Sequence, residues 1–233
     1  MLIDGKIALY VSGAKAGHLE VALESSASYL VLCLEDGTPE NLKDEARYLV
    51  KEAIKYYKNV KRICCVRING PDTQHWYKDI ELLYKNGSCP DRIRLPMARS
   101  LEDVKRTIEK IEQYQDDIKN KYIELMVENI DCYNNIEIIL NKFSDKICTV
   151  TVGGEDLLES VAEEERVDQI KKNLIKICDK YSIPCLETTF MDYKNIQGLI
   201  ENTKEALNKG FSGRSVIHPS HIKICEELVR EYV

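Results

Sequence analysis

Two acidic side chains at the ends of neighbouring predicted strands have the type and spacing expected of a metal site. Glu128 ends the run YIELMVE, residues 122–128, and Asp156 follows the run ICTVTVG, residues 147–153. Neighbouring strands of a sheet lie about 5 Å apart, so the two carboxylates can share one divalent ion. With no histidine or cysteine nearby in sequence, this oxygen-rich pair favours Mg²⁺, which keeps several waters and takes further oxygens from a substrate. Zinc is disfavoured.

Each of these two acids also has a purely structural interpretation. Asp156 and Glu159 have the spacing of a capping box, in which Asp156 would begin the helix after the sixth strand. Glu128 would be a solvated strand end. Taken alone, Asp156 favours the cap, whereas its position beside Glu128 favours the metal ligand. The two roles are compatible, because one carboxylate oxygen can cap the helix while the other binds the ion.

Arg67 lies in the run ICCVRIN, residues 63–69, where a strand is expected to be apolar. A buried arginine needs an anionic partner, and its planar guanidinium matches a carboxylate through two parallel hydrogen bonds. One interpretation is a structural ion pair with Glu35, Asp36 or Glu128. The other is that Arg67 binds the carboxylate of a substrate and neutralises charge that develops beside it.

Eight β-branched runs alternate with longer amphipathic segments along the chain, about one strand every 30 residues. Helices are predicted over 39–57, with a proline in the first turn, and over 100–114, which opens with a serine cap. Eight βα units favour an α/β fold, a (β/α)₈ TIM barrel that forms a single domain over residues 1–233. An open flavodoxin-like or Rossmann sheet is the alternative, and the Rossmann version lacks a G-x-G-x-x-G after the first strand. The strands are predicted over 7–11, 29–35, 63–69, 91–96, 122–128, 147–153, 185–190 and 214–218.

Active sites of TIM barrels lie at the carboxyl ends of the strands, and these predicted ends are polar. Besides the acids and Arg67, they include Asn69 and His218, the latter before a proline. His218 is a candidate general base, but a packed or capping histidine is the favoured interpretation. On the outer helices, Tyr56 and Tyr57 are candidates for a subunit interface.

Composition excludes several classes of partner. The chain has 33 Lys and Arg against 39 Asp and Glu without a basic block, so we expect no nucleic-acid partner. No run approaches the roughly 20 apolar residues of a membrane span, and the N-terminus does not resemble a secretory leader. We therefore expect no membrane association and a cytoplasmic location. The nine cysteines show no C-x-x-C pair and are expected to be reduced core residues; those in apolar runs are Cys33, Cys64, Cys65, Cys148 and Cys185.

Six motifs occur in the order and approximate spacing of a known family. They are LYVSGAKAGHLEVALESSASYLVLCLEDGTPENLKDEAR, VRIN, DRIRLPMARSLEDV, LMVEN, GGEDL and GFSGRSVIHPSHI. Together they cover nearly the whole chain and resemble the citrate lyase β-subunit-like (CitE-like) branch of the HpcH/HpaI aldolase/citrate lyase superfamily. The resemblance implies a TIM-barrel lyase or aldolase that makes or breaks a carbon–carbon bond in small 2-oxo acids or carboxylated acyl thioesters. It also implies a homo-oligomer, commonly a trimer.

The resemblance assigns roles to seven residues. It implies metal binding by Glu128 and Asp156, substrate-carboxylate binding by Arg67 and the backbone of Gly154 and Glu155, and metal-bound water held by the site-lining acids Glu35 and Asp36. In the implied mechanism, Mg²⁺ chelates the oxo and carboxylate oxygens and, with Arg67, stabilises an enolate.

Three departures from the family pattern bear on coenzyme A recognition and on the general base. IALYVSGAKAG stands where an arginine and a Pro-Gly turn are usual, and Met97 stands where a lysine is usual. Many acyl-CoA lyases of the branch continue beyond the position matched by Val233, into a segment that helps to cover the thioester and supplies an acid to the neighbouring subunit. These departures permit an alternative function, a non-catalytic or regulatory metal- and carboxylate-binding subunit of a larger assembly.

Overall fold

Eight parallel strands pair in chain order, and the eighth pairs with the first, so the sheet closes into a barrel. The structure is a computed structural model that describes residues 6–85, 87, 89–115 and 122–232. The predicted (β/α)₈ TIM barrel is confirmed, and the closure excludes the open-sheet alternative. The strands are β1 (Ile7–Ser12), β2 (Tyr29–Cys33), β3 (Cys64–Arg67), β4 (Arg92–Leu95), β5 (Ile123–Val127), β6 (Ile147–Val152), β7 (Cys185–Glu187) and β8 (Gly213–Val216).

Amphipathic helices surround the barrel and follow each of its strands. The predicted helix over 39–57 is a 3₁₀ turn at Glu40–Leu42 followed by a longer helix, and the predicted serine cap is confirmed by a capping box between Ser100 and Asp103. The helices are α1 (Ala16–Leu23), α2 (Lys43–Asn59), α3 (Gln74–Tyr84), α4 (Leu101–Glu112), α5 (Ile130–Phe143), α6 (Gly154–Val161), α7 (Glu164–Lys180), α8 (Ile196–Lys209) and α9 (Ser220–Tyr232).

Several strands end earlier than the sequence predicts. β2 ends at Cys33 where 35 is predicted, and β7 ends at Glu187 where 190 is predicted. The predicted runs include Leu34 and Glu35 after β2 and residues 188–190 after β7, which lie outside the strands. The polar residues that follow leave the ladder and surround the mouth of the barrel, which is where a TIM barrel places its active site.

The main apolar core lies between the barrel and its helices, whereas the barrel interior is mixed. A small interior cluster contains Ala8, Tyr29, Val31, Cys65 and Leu186. Beside this cluster, charged residues of β4 and β5 are buried inside the barrel and hydrogen-bonded to one another. The interior beneath the mouth therefore combines an apolar cluster with a charged one.

The two tyrosines proposed for an interface point to different sides of α2, one outward and one toward the core. Tyr56 is 58% exposed, but Tyr57 is only 2% exposed and its hydroxyl donates to the Leu19 carbonyl. The expectation for Tyr57 is wrong, because adjacent helical residues point about 100° apart and one of them faces the core.

All nine cysteines are free, and most are buried. Cys148, one of the five expected in the core, is half-buried, while the other four are buried. No helix in the described part of the chain is both long and apolar enough to cross a membrane.

Candidate active site

A cavity of about 420 Å³ opens at the carboxyl ends of the strands. Strands from both halves of the barrel contribute to its wall, together with the first turn of α6. This is the end of the barrel where the sequence analysis places the polar strand ends. Lining side chains include Tyr10, Ser12, His18, Asp36, Arg67, Arg94, Asp156, Thr188 and Ser215, and the lining also includes Gly153, Gly154 and Glu155.

Arg67 ends β3 and contacts three carboxylates through one nitrogen. Its Nη2 pairs with Glu35, lies 3.0 Å from Asp36 Oδ2 and lies 3.7 Å from Glu128 Oε2. Burial by itself lowers the pKa of Arg67, but the acidic groups around it raise that pKa above its ordinary value. Arg67 therefore stays charged at the cavity wall. The intramolecular ion pair is present, and Nε is buried without a hydrogen-bond partner among the described residues.

Glu128 follows β5 and is 1% exposed, so its interpretation as a solvated strand end is wrong. Its Oε1 accepts a hydrogen bond from the Met97 backbone N–H, whereas Oε2 is buried without a hydrogen-bond partner in the described structure. Burial raises the pKa of Glu128 to about 8, against the lowering effect of Arg67. Glu128 lies behind the cavity lining and contacts Arg67, which lines it.

Gly153 gives the Glu128 side chain its space. A Cβ built on Gly153 would lie 2.5 Å from Glu128 Cβ and 2.7 Å from Oε2. Both distances are far below van der Waals contact, so any larger residue would displace the carboxylate. The glycine-rich end of β6 is thus fitted around the acid at the end of β5.

Glu35 and Asp36 form the loop after β2, directly across from Arg67. Burial raises the pKa of Glu35 to about 7, because desolvation outweighs the charge of Arg67. The buried Lys43 ammonium donates to the Leu34 and Glu35 carbonyls and to Asn69 Oδ1, which fixes the backbone of this loop from behind. Asp36 lines the cavity, whereas Glu35 lies behind it.

Asp156 lies in the first turn of α6 and lines the cavity. Its interpretation as a capping residue is wrong, since Gly153 is the N-cap and no side chain makes the cap hydrogen bond. Asp156 is near enough to Glu128 for its charge to raise the Glu128 pKa. The Gly154 N–H, expected to approach a substrate carboxylate, donates to Thr188 Oγ1 at 3.3 Å.

The charges at the mouth fit a divalent cation. Arg67 is the positive partner of Glu35, Asp36 and Glu128, and Asp156 adds a further negative charge nearby. No group of three or more Asp, Glu, His and Cys side chains in the described ranges is arranged as a complete metal site. Two carboxylates with an unpartnered buried oxygen suit Mg²⁺, which completes its shell with water and substrate oxygens.

Two polar residues near the strand ends have structural roles. Asn69 turns away from the mouth and donates to the Leu34 carbonyl and to Asp79 Oδ2. His218 is exposed, and its Nδ1 accepts a hydrogen bond from the Ser220 N–H at the start of α9, as the capping interpretation predicts. Neither Asn69 nor His218 is part of the cavity lining.

Met97 follows β4, in the position that the family resemblance gives to a lysine. Its φ is +53°, and a Cβ on Gly70 would lie 2.8 Å from Met97 Cβ. This left-handed backbone directs the Met97 N–H to Glu128. Met97 therefore contributes its backbone to the site and is absent from the cavity lining.

A polar group that is not predicted from the sequence lies at the bottom of the cavity. Arg94 of β4, Tyr10 of β1 and Ser215 of β8 all line the cavity and are joined by hydrogen bonds. The signal was present in the sequence, because Arg92 and Arg94 alternate in β4, as residues on one face of a strand do. Their partner Glu124 stands in an otherwise apolar run of β5.

The family model of the HpcH/HpaI aldolase/citrate lyase family matches residues 6–219. The chain is 23% identical to the mitochondrial citramalyl-CoA lyase of Homo sapiens, over 97% of this chain and 71% of that protein.

Two solved structures share the fold. RipC from Yersinia pestis has a TM-score of 0.82 and 22% identity, covering 98% of this chain and 96% of that one. The citrate lyase beta subunit from M. tuberculosis, complexed with oxaloacetate and magnesium, has a TM-score of 0.80 and 22% identity, covering 99% and 100%. With the barrel and the matched family model, the chain belongs to the HpcH/HpaI aldolase/citrate lyase family.

Proposed function

We propose that this protein is a Mg²⁺-dependent carbon–carbon lyase or aldolase that acts on a small 2-oxo acid or a carboxylated acyl thioester. Glu128 and Asp156 would hold the ion, and Arg67 would bind a substrate carboxylate. Membership of a family of aldolases and citrate lyases supports the reaction class. The relative named for citramalyl-CoA and the structure complexed with oxaloacetate and magnesium support the substrate class and the metal.

We base the metal assignment mainly on the Glu128 Oε2 atom. A buried carboxylate oxygen without a hydrogen-bond partner is costly, and such atoms are rare in folded proteins. A cation shared with Asp156 would compensate it. It would also offset the excess of acids at the mouth, which by itself would repel an anionic substrate.

The side chains of this site support a retro-aldol or Claisen-type cleavage. When the carbon–carbon bond breaks, its electron pair moves onto the neighbouring carbonyl and forms an enolate, while the hydroxyl proton of the other fragment leaves to a base. Arg67, permanently charged and held at the wall by its carboxylate contacts, stabilises the developing oxyanion. Glu128 and Asp156 would hold Mg²⁺, which would supply Lewis-acid polarisation of the carbonyl. The N-terminus of α6 adds a favourable dipole for the substrate carboxylate.

A substrate panel tests the proposal directly. The purified protein is incubated with Mg²⁺ and oxaloacetate, citramalyl-CoA, malyl-CoA or 4-hydroxy-2-oxo acids, and release of pyruvate, acetate or acetyl-CoA is followed. Turnover of a thioester but not of a free acid would assign coenzyme A as the carrier. EDTA should abolish any turnover, and added Mg²⁺ should restore it.

A matched pair of variants on α6 tests the metal ligand. Asp156→Asn is expected to weaken Mg²⁺ binding at least tenfold in calorimetry, because it removes the charge of a direct ligand. Glu159→Gln removes an acid from an exposed position on the same helix and should leave Mg²⁺ binding unchanged. If no substrate turns over and Asp156→Asn binds Mg²⁺ as the wild type does, the proposal is wrong.

Mg²⁺ and oxaloacetate binding without turnover of any substrate would instead support the alternative, a non-catalytic or regulatory subunit. The presence of Met97 where the family has a lysine favours this alternative. The predicted homo-oligomer is tested separately, by light scattering on the protein eluted from a sizing column.

A further inference from the structure

Arg94 is a buried arginine at the bottom of the cavity, where all three of its nitrogens have partners. Its Nε donates to Glu124 Oε2 at 2.9 Å, and its Nη1 donates to Tyr10 Oη at 2.7 Å and to Ser215 Oγ at 3.0 Å. Its Nη2 donates to Tyr29 Oη at 3.2 Å and lies 2.9 Å from Glu124 Oε2. An arginine has only N–H donors and no acceptor, and these contacts engage all three of its nitrogens. Arg94 is 1% exposed.

This arrangement fixes the direction of two hydroxyl protons. Because Arg94 can only donate, Tyr10 and Ser215 must receive its hydrogen bonds on their oxygen lone pairs. Their own O–H protons are left for another acceptor. Among the described residues, neither hydroxyl donates a hydrogen bond to a protein atom, and both side chains line the cavity.

The charge around these hydroxyls is positive. Arg92 and Arg94 share Glu124 as their acid: Arg92 Nη1 lies 3.1 Å from Glu124 Oε1, and Arg94 binds the other oxygen. All three side chains are more than nine-tenths buried. Two buried cations with one buried anion leave a surplus positive charge at the closed end of the cavity. The open end, where Arg67 faces its acids, has the opposite sign before a cation binds.

We propose that the Tyr10 and Ser215 hydroxyls, oriented by Arg94, bind a second carboxylate of the substrate and make the site selective for dicarboxylic oxo acids or their thioesters. The first carboxylate is the one assigned to Arg67 and the metal at the mouth. This inference rests on the proposed function only in taking the same cavity as the substrate site. It adds two specificity-determining residues and one positioning residue, Arg94.

Equilibrium binding of two matched ligands tests this inference. Oxaloacetate and 2-oxobutanoate have the same four-carbon length, and they differ in carrying a carboxylate or a methyl group at the far end. Their dissociation constants are measured by calorimetry with and without Mg²⁺ for the wild type, Tyr10→Phe and Ser215→Ala. Tyr10→Phe keeps the ring that lies 4.9 Å from the Arg94 guanidinium, so packing is preserved. Circular dichroism and a melting curve verify that each variant folds.

Ser12→Ala is the control. Ser12 also lines the cavity, but its hydroxyl already donates to the Gly37 carbonyl at 2.6 Å. Its proton is not available to a ligand, so Ser12→Ala should leave the preference between the two ligands unchanged.

The wild type is expected to prefer oxaloacetate, and each test variant should lose about tenfold or more in oxaloacetate affinity, the usual effect of losing a hydrogen bond to a charged group. The affinity for 2-oxobutanoate should stay within about twofold, since that ligand has no second carboxylate to accept hydrogen bonds from Tyr10 and Ser215. Equal losses for both ligands, or no loss for either, would overturn the inference. Failure of the proposed function would give a different result, namely ligand binding that is independent of Mg²⁺ and no turnover in the substrate panel. The two failures are distinguishable because the affinity for each ligand is measured with and without Mg²⁺.

Discussion

At the scale of single residues, the environment of Glu128 is the main basis of the chemistry proposed for the mouth. It combines a raised pKa, an unpartnered oxygen and contact with Arg67, which lines the cavity. In the absence of a cation, the low-dielectric surroundings favour its protonated form. A bound cation would replace that proton and use the same oxygen.

Glu128→Gln should abolish stabilisation of the protein by Mg²⁺. The amide oxygen can still accept the Met97 N–H, so the fold is expected to be retained. In the wild type, Mg²⁺ at about 100 times its dissociation constant should add about 2.7 kcal/mol to the free energy of unfolding. This is measured by urea unfolding with and without MgCl₂, with NaCl at equal ionic strength as the control. A variant that Mg²⁺ stabilises as much as the wild type would contradict the assignment of Glu128.

The metal-free protein should lose stability as the pH rises. Glu35 and Glu128 have folded-state pKa values of about 7 and about 8, above those of an unfolded chain, near 4.3. The folded state therefore binds their protons more tightly, and the stabilisation present below the unfolded pKa is lost as pH rises through the folded pKa.

Urea unfolding in EDTA between pH 5 and pH 8 measures this loss. The slope for each carboxyl cannot exceed about 1.4 kcal/mol per pH unit. Glu128→Gln should flatten the profile, and a wild-type profile that rises over this window would contradict the raised pKa values.

At the scale of secondary-structure elements, the site depends on where β5 and β6 end relative to each other. The two strands are parallel neighbours, and Val127 pairs with Val152. The residues that follow, Glu128 and Gly153, are therefore side by side. Because the glycine has no Cβ, the acid can occupy the space beside it.

Gly153→Ala should therefore displace the Glu128 carboxylate, weaken Mg²⁺ binding at least tenfold and destabilise the fold by about 1–3 kcal/mol, as overpacking typically does. Gly17→Ala is the matched control, because a Cβ at Gly17 of α1 would meet no atom within 4 Å. That control should stabilise the protein by up to about 1 kcal/mol. Calorimetry and urea unfolding measure the two effects. Wild-type Mg²⁺ affinity in Gly153→Ala would show that the close approach is not needed.

At the scale of the whole molecule, the barrel encloses a charge cluster that connects several of its strands. Arg94 of β4 bonds to β5 through Glu124, to β1 through Tyr10, to β2 through Tyr29 and to β8 through Ser215. Such a network is stable only while every charge keeps its partners.

Glu124→Gln should destabilise the protein by about 3 kcal/mol or more, because it leaves the two interior arginines without a counter-charge. Glu81→Gln is the control, since it removes a partly exposed acid paired with Lys85 on α3 and should cost at most about 1 kcal/mol. Urea unfolding of both variants gives the comparison. Equal effects of the two substitutions would contradict a structural role for the interior cluster.

The sequence by itself determined the eight strands, their alternation with helices, the serine cap of α4 and the set of acids near the mouth. These features depend on local signals, such as the periodicity of apolar residues and the chemistry of a helix start. Family membership, predicted from six ordered motifs, is confirmed by the family model. The roles of Glu128, Asp156 and Arg67 remain predictions, although the structure places all three at one mouth.

Only the tertiary structure decided how the side chains are paired. It showed that Gly153, and not Asp156, is the N-cap residue of α6, and that one nitrogen of Arg67 contacts three acids. It also showed that Arg94 donates hydrogen bonds to hydroxyl groups of strands that are distant in sequence, such as the Ser215 hydroxyl of β8. The physical reason is that barrel closure and strand register, which no local pattern encodes, determine which residues meet across the interior. The polarity of strand ends can be predicted from one strand, whereas a hydrogen bond between β4 and β8 requires the whole barrel.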